Sequence, residues 1–325
     1  MKTTFLIICI LSCFLINAIP QEKFPEAEIT NGIITAHFYL PDSVKGYYRA
    51  TRFDWSGIIT NLEYKGHKFY GQWFEDYSPL THDAVMGPVE EFGPVGYSEA
   101  KTGGRFVKIG VGALSKPEES AYGQFKLYKI ANHGEWKIRR KPDQIQFIHI
   151  LKDTEYSYEY NKTINLVKGK PGLVITHSLK NTGKKTIETS VYDHNFVMID
   201  KLPTGPDYVI YFPSEMTGKG QGIGNIAQLE GNKMTFLREL AKSERIFCGA
   251  LQGLTNDKND YNFRVENLKA GAGVRITGDQ PILKLVFWAA PTTVCPEPFI
   301  QIKVEPGKEF NWEISYEYYT VGIKK

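Results

Sequence analysis

Cysteine is nearly missing from this sequence, with four residues in 325. Cys9 and Cys13 fall in the first twenty positions, which leaves Cys248 and Cys295 to the body of the chain. A disulfide-stapled scaffold is thereby excluded, and the two thiols, each inside or beside an apolar run, leave one disulfide and two buried thiols both open. No Cys or His spacing matches a zinc site, and no metal or cofactor is expected. Charge of one sign is missing too. Lys and Arg number 39 against 36 Asp and Glu, a net +3 with no basic block, which points away from nucleic acid and anionic membrane as partners. Beyond residue 20 no apolar run approaches the roughly 20 residues of a membrane span. Helical periodicity is almost absent, residues 233–243 being the only fair helix candidate. No repeat of about 20–50 residues recurs, so solenoids and propellers are excluded.

What is present begins with a leader. Lys2, the apolar run Phe5 to Ile16 and Asn17-Ala18 before Pro20 read as a secretory signal peptide over residues 1–20. A secreted or periplasmic protein is expected, with lipid anchoring at Cys13 the lesser expectation because the apolar run continues past it. Residues 21–325 then form one domain, expected as a monomer or weak dimer. From Ile29 onward short runs of period two alternate with turn residues, as in Ile33 to Leu40, Gly57 to Tyr64, Tyr156 to Leu166, Gly172 to Leu179 and Leu283 to Trp288. The pattern predicts an all-β, antiparallel, two-sheet domain. Aromatics at 13% with only 23% charged residues leave rings over for carbohydrate faces as well as for a core.

Residues 72–98 break the rhythm with a long irregular segment rich in Gly, Pro, aromatics and acids. Such a segment in a compact β-domain usually carries function. It supplies Trp73, His82, Glu90, Glu91 and Tyr97 as candidate ligand contacts, with Arg52, from the run Tyr47 to Phe53, a further one. The competing reading is a cross-connection between sheets with solvated acids. The Gly-rich run 217–224 lacks the preceding strand, the following helix and the closing Gly-Lys-Ser/Thr of a phosphate loop, and reads as a mobile loop. Asn161-Lys162-Thr163 is formally a glycosylation sequon, but it lies in mid-strand.

Two stretches carry chemistry. In Ser190 to Lys201, His194 stands between Asp193 and Phe196, and an imidazole beside a carboxylate can trade protons near neutral pH. In Val294 to Phe299, Glu297 is boxed by Pro296 and Pro298, which present it rigidly and are expected to block strand pairing there. The order of Cys295-Pro-Glu297-Pro298, then Pro306-Gly307 with Phe310, then Tyr316-Glu-Tyr318 resembles the C-terminal signature of the galactose mutarotase-like (aldose 1-epimerase) superfamily. Leu173 to Gly183 followed by His194-Asn195-Phe196, and Gly57 to Leu62 with Lys65-Gly66, are similar to its central and opening segments. The resemblance spans nearly the whole chain beyond the leader, in order.

That resemblance implies a β-supersandwich with a sugar cleft. His194 would match the acid that protonates the ring oxygen, and Glu297 the base that takes the anomeric proton. The sugar would open, rotate and reclose on its other face without metal or cofactor. Three features depart from the family pattern. Gly104-Arg105 lacks the family's preceding Asn, His82 stands in Thr81-His82-Asp83, and Asp193 replaces an Asn before the His. Arg52, Glu90, Glu91 and Asp193 then stand as candidate hydroxyl contacts. Three readings follow: an anomer-interconverting enzyme on a sugar or oligosaccharide end, a carbohydrate-binding module without chemistry, and a polysaccharide hydrolase or lyase relative. The last would need a second carboxylate or Tyr, for which Glu90, Glu91 and Tyr97 are candidates.

Overall fold

The computed structural model describes residues 24–152 and 155–322; the leader expected over residues 1–20 lies outside them. Alternation along the chain becomes pleat. In β11 (Tyr158–Leu166) every second residue is buried, so Tyr158, Tyr160, Lys162, Ile164 and Leu166 share one face. Ten strands pair antiparallel into the larger sheet. Their order is β15 (Ala227–Glu230), β16 (Lys233–Phe236), β14 (Tyr208–Tyr211), β18 (Asn262–Asn267), β19 (Ala272–Gly278), β22 (Glu309–Thr320), β12 (Gly172–Asn181), β11, β10 (Gln144–Leu151) and β9 (Glu135–Lys141). Five more form the second sheet, β17 (Ile246–Leu251), β20 (Lys284–Ala290), β21 (Thr293–Val304), β13 (Ile187–Phe196) and β5 (Gly87–Phe92). Two small sheets complete the chain, one of β1 (Glu26–Thr30), β2 (Thr35–Tyr39), β3 (Ile58–Tyr64) and β4 (His67–Lys68), the other of β6 (Arg105–Lys108), β7 (Gly112–Ser115) and β8 (Ile130–Asn132). The all-β, antiparallel architecture is the one its period-two pattern predicts.

Two cores follow from this layering. The larger lies between the ten- and five-stranded sheets, where Phe147, Ile164, Ile175, Ile300, Ile302 and Ile314 interlock. Each such side chain contributes about 1.5–3 kcal/mol by leaving water. The smaller core lies on the other face of the five-stranded sheet, under a covering layer that includes Tyr48, Phe53, Trp55, Val85, Phe106 and Tyr128. The five-stranded sheet is therefore buried on both faces around its centre, where β13 is buried throughout its second half, while β17 and the far ends of β13 and β21 expose alternate residues.

Several local expectations change. Residues 233–243 contain no α-helix, and among the described residues the only helical element is a 3-10 turn at Lys258–Asp260. Met234 and Phe236 instead alternate inward along β16, which forms a hairpin with β15. Residues 293–304 are one continuous strand running through both prolines and paired with β20 along the way. The Gly-rich run is tied down by isolated bridges Thr217 to Gln252 and Gln221 to Phe247. Asn161 and Thr163 do sit in mid-strand, facing outward between inward neighbours. Cys248 and Cys295 are both free and buried. No helix is long and apolar enough to cross a membrane among the described residues.

Candidate functional site

His194 and Glu297 meet because of strand register. Tyr192 lies opposite Phe299 in the β13 and β21 pairing, and Val197 bridges Val294 further along. The same antiparallel register between these points sets His194 directly across from Glu297, where cross-strand side chains touch. Nε2 of His194 lies 3.1 Å from Oε1 of Glu297. The prolines loosen the seam at this place. The Val294 amide donates toward β13, to Val197 O at 3.1 Å, so the same-phase positions 296 and 298 would turn their N–H the same way, and both are proline. The side chain of Asn195 takes over part of the missing ladder, its Nδ2 donating to Pro296 O at 2.9 Å.

Aromatic rings fix the imidazole. Phe196 stacks on it with centroids 3.8 Å apart and planes within 5°. Phe53 and Trp288 approach edge-on at 5.7 and 5.6 Å. Both polar side chains are nearly sealed, with 5% of His194 and 7% of Glu297 exposed. Burial, only partly offset by the Arg52 charge, pushes the Glu297 carboxyl up to about 8. Burial, reinforced by the same cation, holds the imidazole well below its ordinary value. At neutral pH Glu297 is therefore held mostly protonated and His194 neutral. Nδ1 of His194 is a buried nitrogen without a hydrogen-bond partner. A polar atom buried without a partner costs about 1–3 kcal/mol.

Arg52 stands beside this pair and is fully engaged. Its Nε donates to Glu91 at 2.7 Å, one terminal nitrogen to Tyr192 Oη at 2.9 Å, and the other to Asp83. Asp83 is also 2.8 Å from Nδ1 of the half-exposed His82. Trp73 stacks on Phe196 at 5.2 Å. His194, Glu297, Arg52, Glu91, His82 and Trp73 thus occupy one neighbourhood on the outer face of the five-stranded sheet. Tyr97 lies elsewhere in the covering layer, edge-on to Phe106 at 4.8 Å and Tyr122 at 5.4 Å.

Asp193 and Glu90 are corrected in position. Successive residues of a strand point to opposite faces, so Asp193 turns away from His194 into the space between the large sheets, and its cross-strand partner Glu90 goes with it. There Glu90 meets His177 Nε2 at 2.7 Å and the fully buried Lys162. Lys162 also donates to Ser56 O at 3.1 Å. Asp193 contacts Tyr316 Oη, which donates to Asn195 Oδ1 at 2.8 Å. Burial pushes both Asp193 and the neighbouring Asp54 up to about 7. Sequence reasoning missed Lys162, His177, Asp54 and Tyr316 here, and Phe53, Asp83 and Trp288 on the outer face.

Among the described residues no group of three or more His, Cys, Asp or Glu is arranged to hold a metal ion. No family model and no curated protein matches the sequence. Solved structures do match. An aldose epimerase homologue from C. elegans aligns at TM-score 0.55 and 14% identity over 92% of this chain and 99% of its own. A galactose mutarotase related enzyme from Lactobacillus acidophilus aligns at 0.53 and 16%, over 92% and 100%. A galactose mutarotase-like protein from Clostridium acetobutylicum aligns at 0.53 and 12%, over the same shares. The likeness extends over nearly the whole length of each: this chain has the galactose mutarotase-like β-sandwich fold.

Proposed function

We propose that this protein interconverts the anomers of a sugar, with His194 and Glu297 as its acid–base pair. The observation that carries the reading is their contact at 3.1 Å, between two groups whose burial inverts the usual order of their proton affinities. The ring oxygen and the anomeric hydroxyl are bonded to the same carbon. Groups that serve both can lie side by side, as cross-strand neighbours do, and need not face each other across the ring. A sugar entering this place replaces the contact between them with a hydrogen bond from each group to one oxygen.

The resting proton position reverses the roles that the family resemblance implies. Glu297 gives its proton to the ring oxygen while His194 Nε2 takes the proton of the anomeric hydroxyl. The bond between the anomeric carbon and the ring oxygen breaks and the free aldehyde rotates about its bond to the next carbon. Reclosure on the other face returns both protons. The leader expected over residues 1–20 from the sequence would carry the protein out of the cytoplasm, so the substrate would be met outside it.

A second reading, carbohydrate binding without chemistry, is favoured by the near-complete sealing of both groups. Mutarotation of freshly dissolved aldoses, followed by NMR, separates the two. We expect acceleration by the wild type, lost by a factor on the order of 10²–10⁴ in His194→Asn and in Glu297→Gln. The wild-type rate should fall above pH 8, where Glu297, raised to about 8, no longer holds its proton. No acceleration on any aldose by folded protein leaves the binding reading.

A further inference from the structure

A groove of about 760 Å³ opens beside the pair, between the Trp73 segment and residues 239–245. Its size lies within the range of about 300–1,000 Å³ common for ligand sites. Trp73 is the wall it shares with the acid–base pair. One face of that ring stacks on Phe196, which in turn stacks on His194, and both Trp73 and His194 meet Trp288 edge-on at 5.2 and 5.6 Å. The groove also presents Phe74, set edge-on to Trp73 at 5.5 Å.

Its charges cancel. Glu75, Asp76 and Glu239 stand against Lys201, Lys242 and Arg245, so the site selects no ligand charge and offers donors and acceptors around an aromatic wall. The one ion pair closing over it, Lys242 to Glu75 at 2.7 Å, joins side chains 80% and 68% exposed. A pair so exposed opens at small cost. Lys201 is held toward the groove by a strained turn. Asp200 and Lys201 both take left-handed backbone, at φ 52° and 54°, which two successive residues other than glycine keep only when their surroundings enforce it. The enforcement is visible: Asp200 N donates to Lys68 O, Lys68 N donates to Asp200 Oδ1, and His67 Nδ1 meets Asp200 Oδ2, each at 2.8 Å.

We infer that this groove binds a neutral oligosaccharide, holding the units that follow an end unit seated at His194 and Glu297. The inference rests on the proposed sugar chemistry and deepens it by naming the substrate class as longer than one unit. Aromatic faces pack on the C–H surfaces of the rings, and the balanced acids and bases hydrogen-bond the hydroxyls. The end unit must part the side chains that cover the pair, 5% and 7% exposed, whereas the groove already stands open to the units that follow.

The test measures calorimetric affinity for neutral gluco-, manno- and galacto-oligosaccharides of increasing length, beside mutarotation of the monosaccharides. In one series affinity should rise about tenfold or more from one unit to three. That increment should vanish in Phe74→Ala and in the surface change Glu239→Gln, while monosaccharide mutarotation stays at the wild-type rate. Affinity independent of length in every series, or an increment that survives both substitutions, overturns the groove assignment. Length-dependent binding lost in the variants, in a protein that accelerates no mutarotation, upholds the groove and refutes the catalytic reading instead.

Discussion

A lysine on the inward side of a strand is destabilising unless something meets it. Lys162 is wholly buried, and Glu90 and the Ser56 carbonyl are what it meets. Burial disfavours its charge, but Glu90 and Asp54 outweigh that and hold it protonated. Removing the cation strands a carboxylate in the interior. Lys162→Met should therefore cost about 3–5 kcal/mol in urea unfolding, and adding Glu90→Gln should recover much of the loss. A single change within about 1 kcal/mol of the wild type would show that the cluster carries little of the fold's stability. Both Lys162 and His177 were legible in principle, since each takes an inward turn in a period-two run, between Tyr160 and Ile164 and between Ile175 and Leu179. His194 and Glu297 stood out because a histidine closes one such run and prolines bracket the other. Asp193 misled because a neighbour in the sequence of a strand is on the far side of the sheet. Phe53, Asp83 and Trp288 left no local trace, for each reaches His194 or Arg52 from another segment of the chain.

Strands as elements were read well wherever one phase is apolar, as in β11 and β12, and read less well where another signal intruded. Met234, Leu237 and Leu240 share a helix-like spacing, but the hairpin through Gly231 and Asn232 fixes Lys233 to Phe236 as a strand. Proline at 296 and 298 suggested a break, yet it removes hydrogen bonds only on the side facing β13, so pairing with β20 continues. The strand that closes one end of the larger sheet shows a different device. β9 has a partner on one side only, β10. It carries Lys137, Arg139, Arg140 and Lys141 within seven residues. Clustered cations on an unpaired edge repel a second edge of the same kind. Arg139→Val combined with Arg140→Val should leave the fold intact by circular dichroism but raise light scattering at high concentration. Unchanged scattering would mean that the edge is guarded by something other than its charge.

For the molecule as a whole, the buried ionisable groups set a pH optimum of stability. Glu297, pushed up to about 8, and Asp54 and Asp193, both about 7, bind protons more tightly folded than unfolded. Their stabilisation is complete below about pH 4 and is lost as pH rises through the folded values. His149, driven down to about 4 by burial, works the other way, as do His177 and His194. Unfolded chains take up protons below roughly pH 6.5 that these imidazoles refuse, so their contribution is lost as pH falls. Glu90, in which Lys162 and His177 outweigh burial to hold the carboxyl at about 2, adds a further loss below roughly pH 4.5. The opposing contributions nearly cancel between about pH 4.5 and 6.5, so the melting temperature should be highest near pH 5–6 and fall both as pH rises from about 6.5 through 8 and as it drops below about 4.5. A steady climb from pH 6 to 9 would contradict this. The position of β22 bears on how such a molecule is made. It lies between β19 and β12, joining the two halves of the ten-stranded sheet, although it follows every other strand in sequence. Until residues 309–320 leave the ribosome, β12 and β19 each present an open edge. The two half-sheets must wait, each at the risk of pairing with another chain, for the strand that joins them.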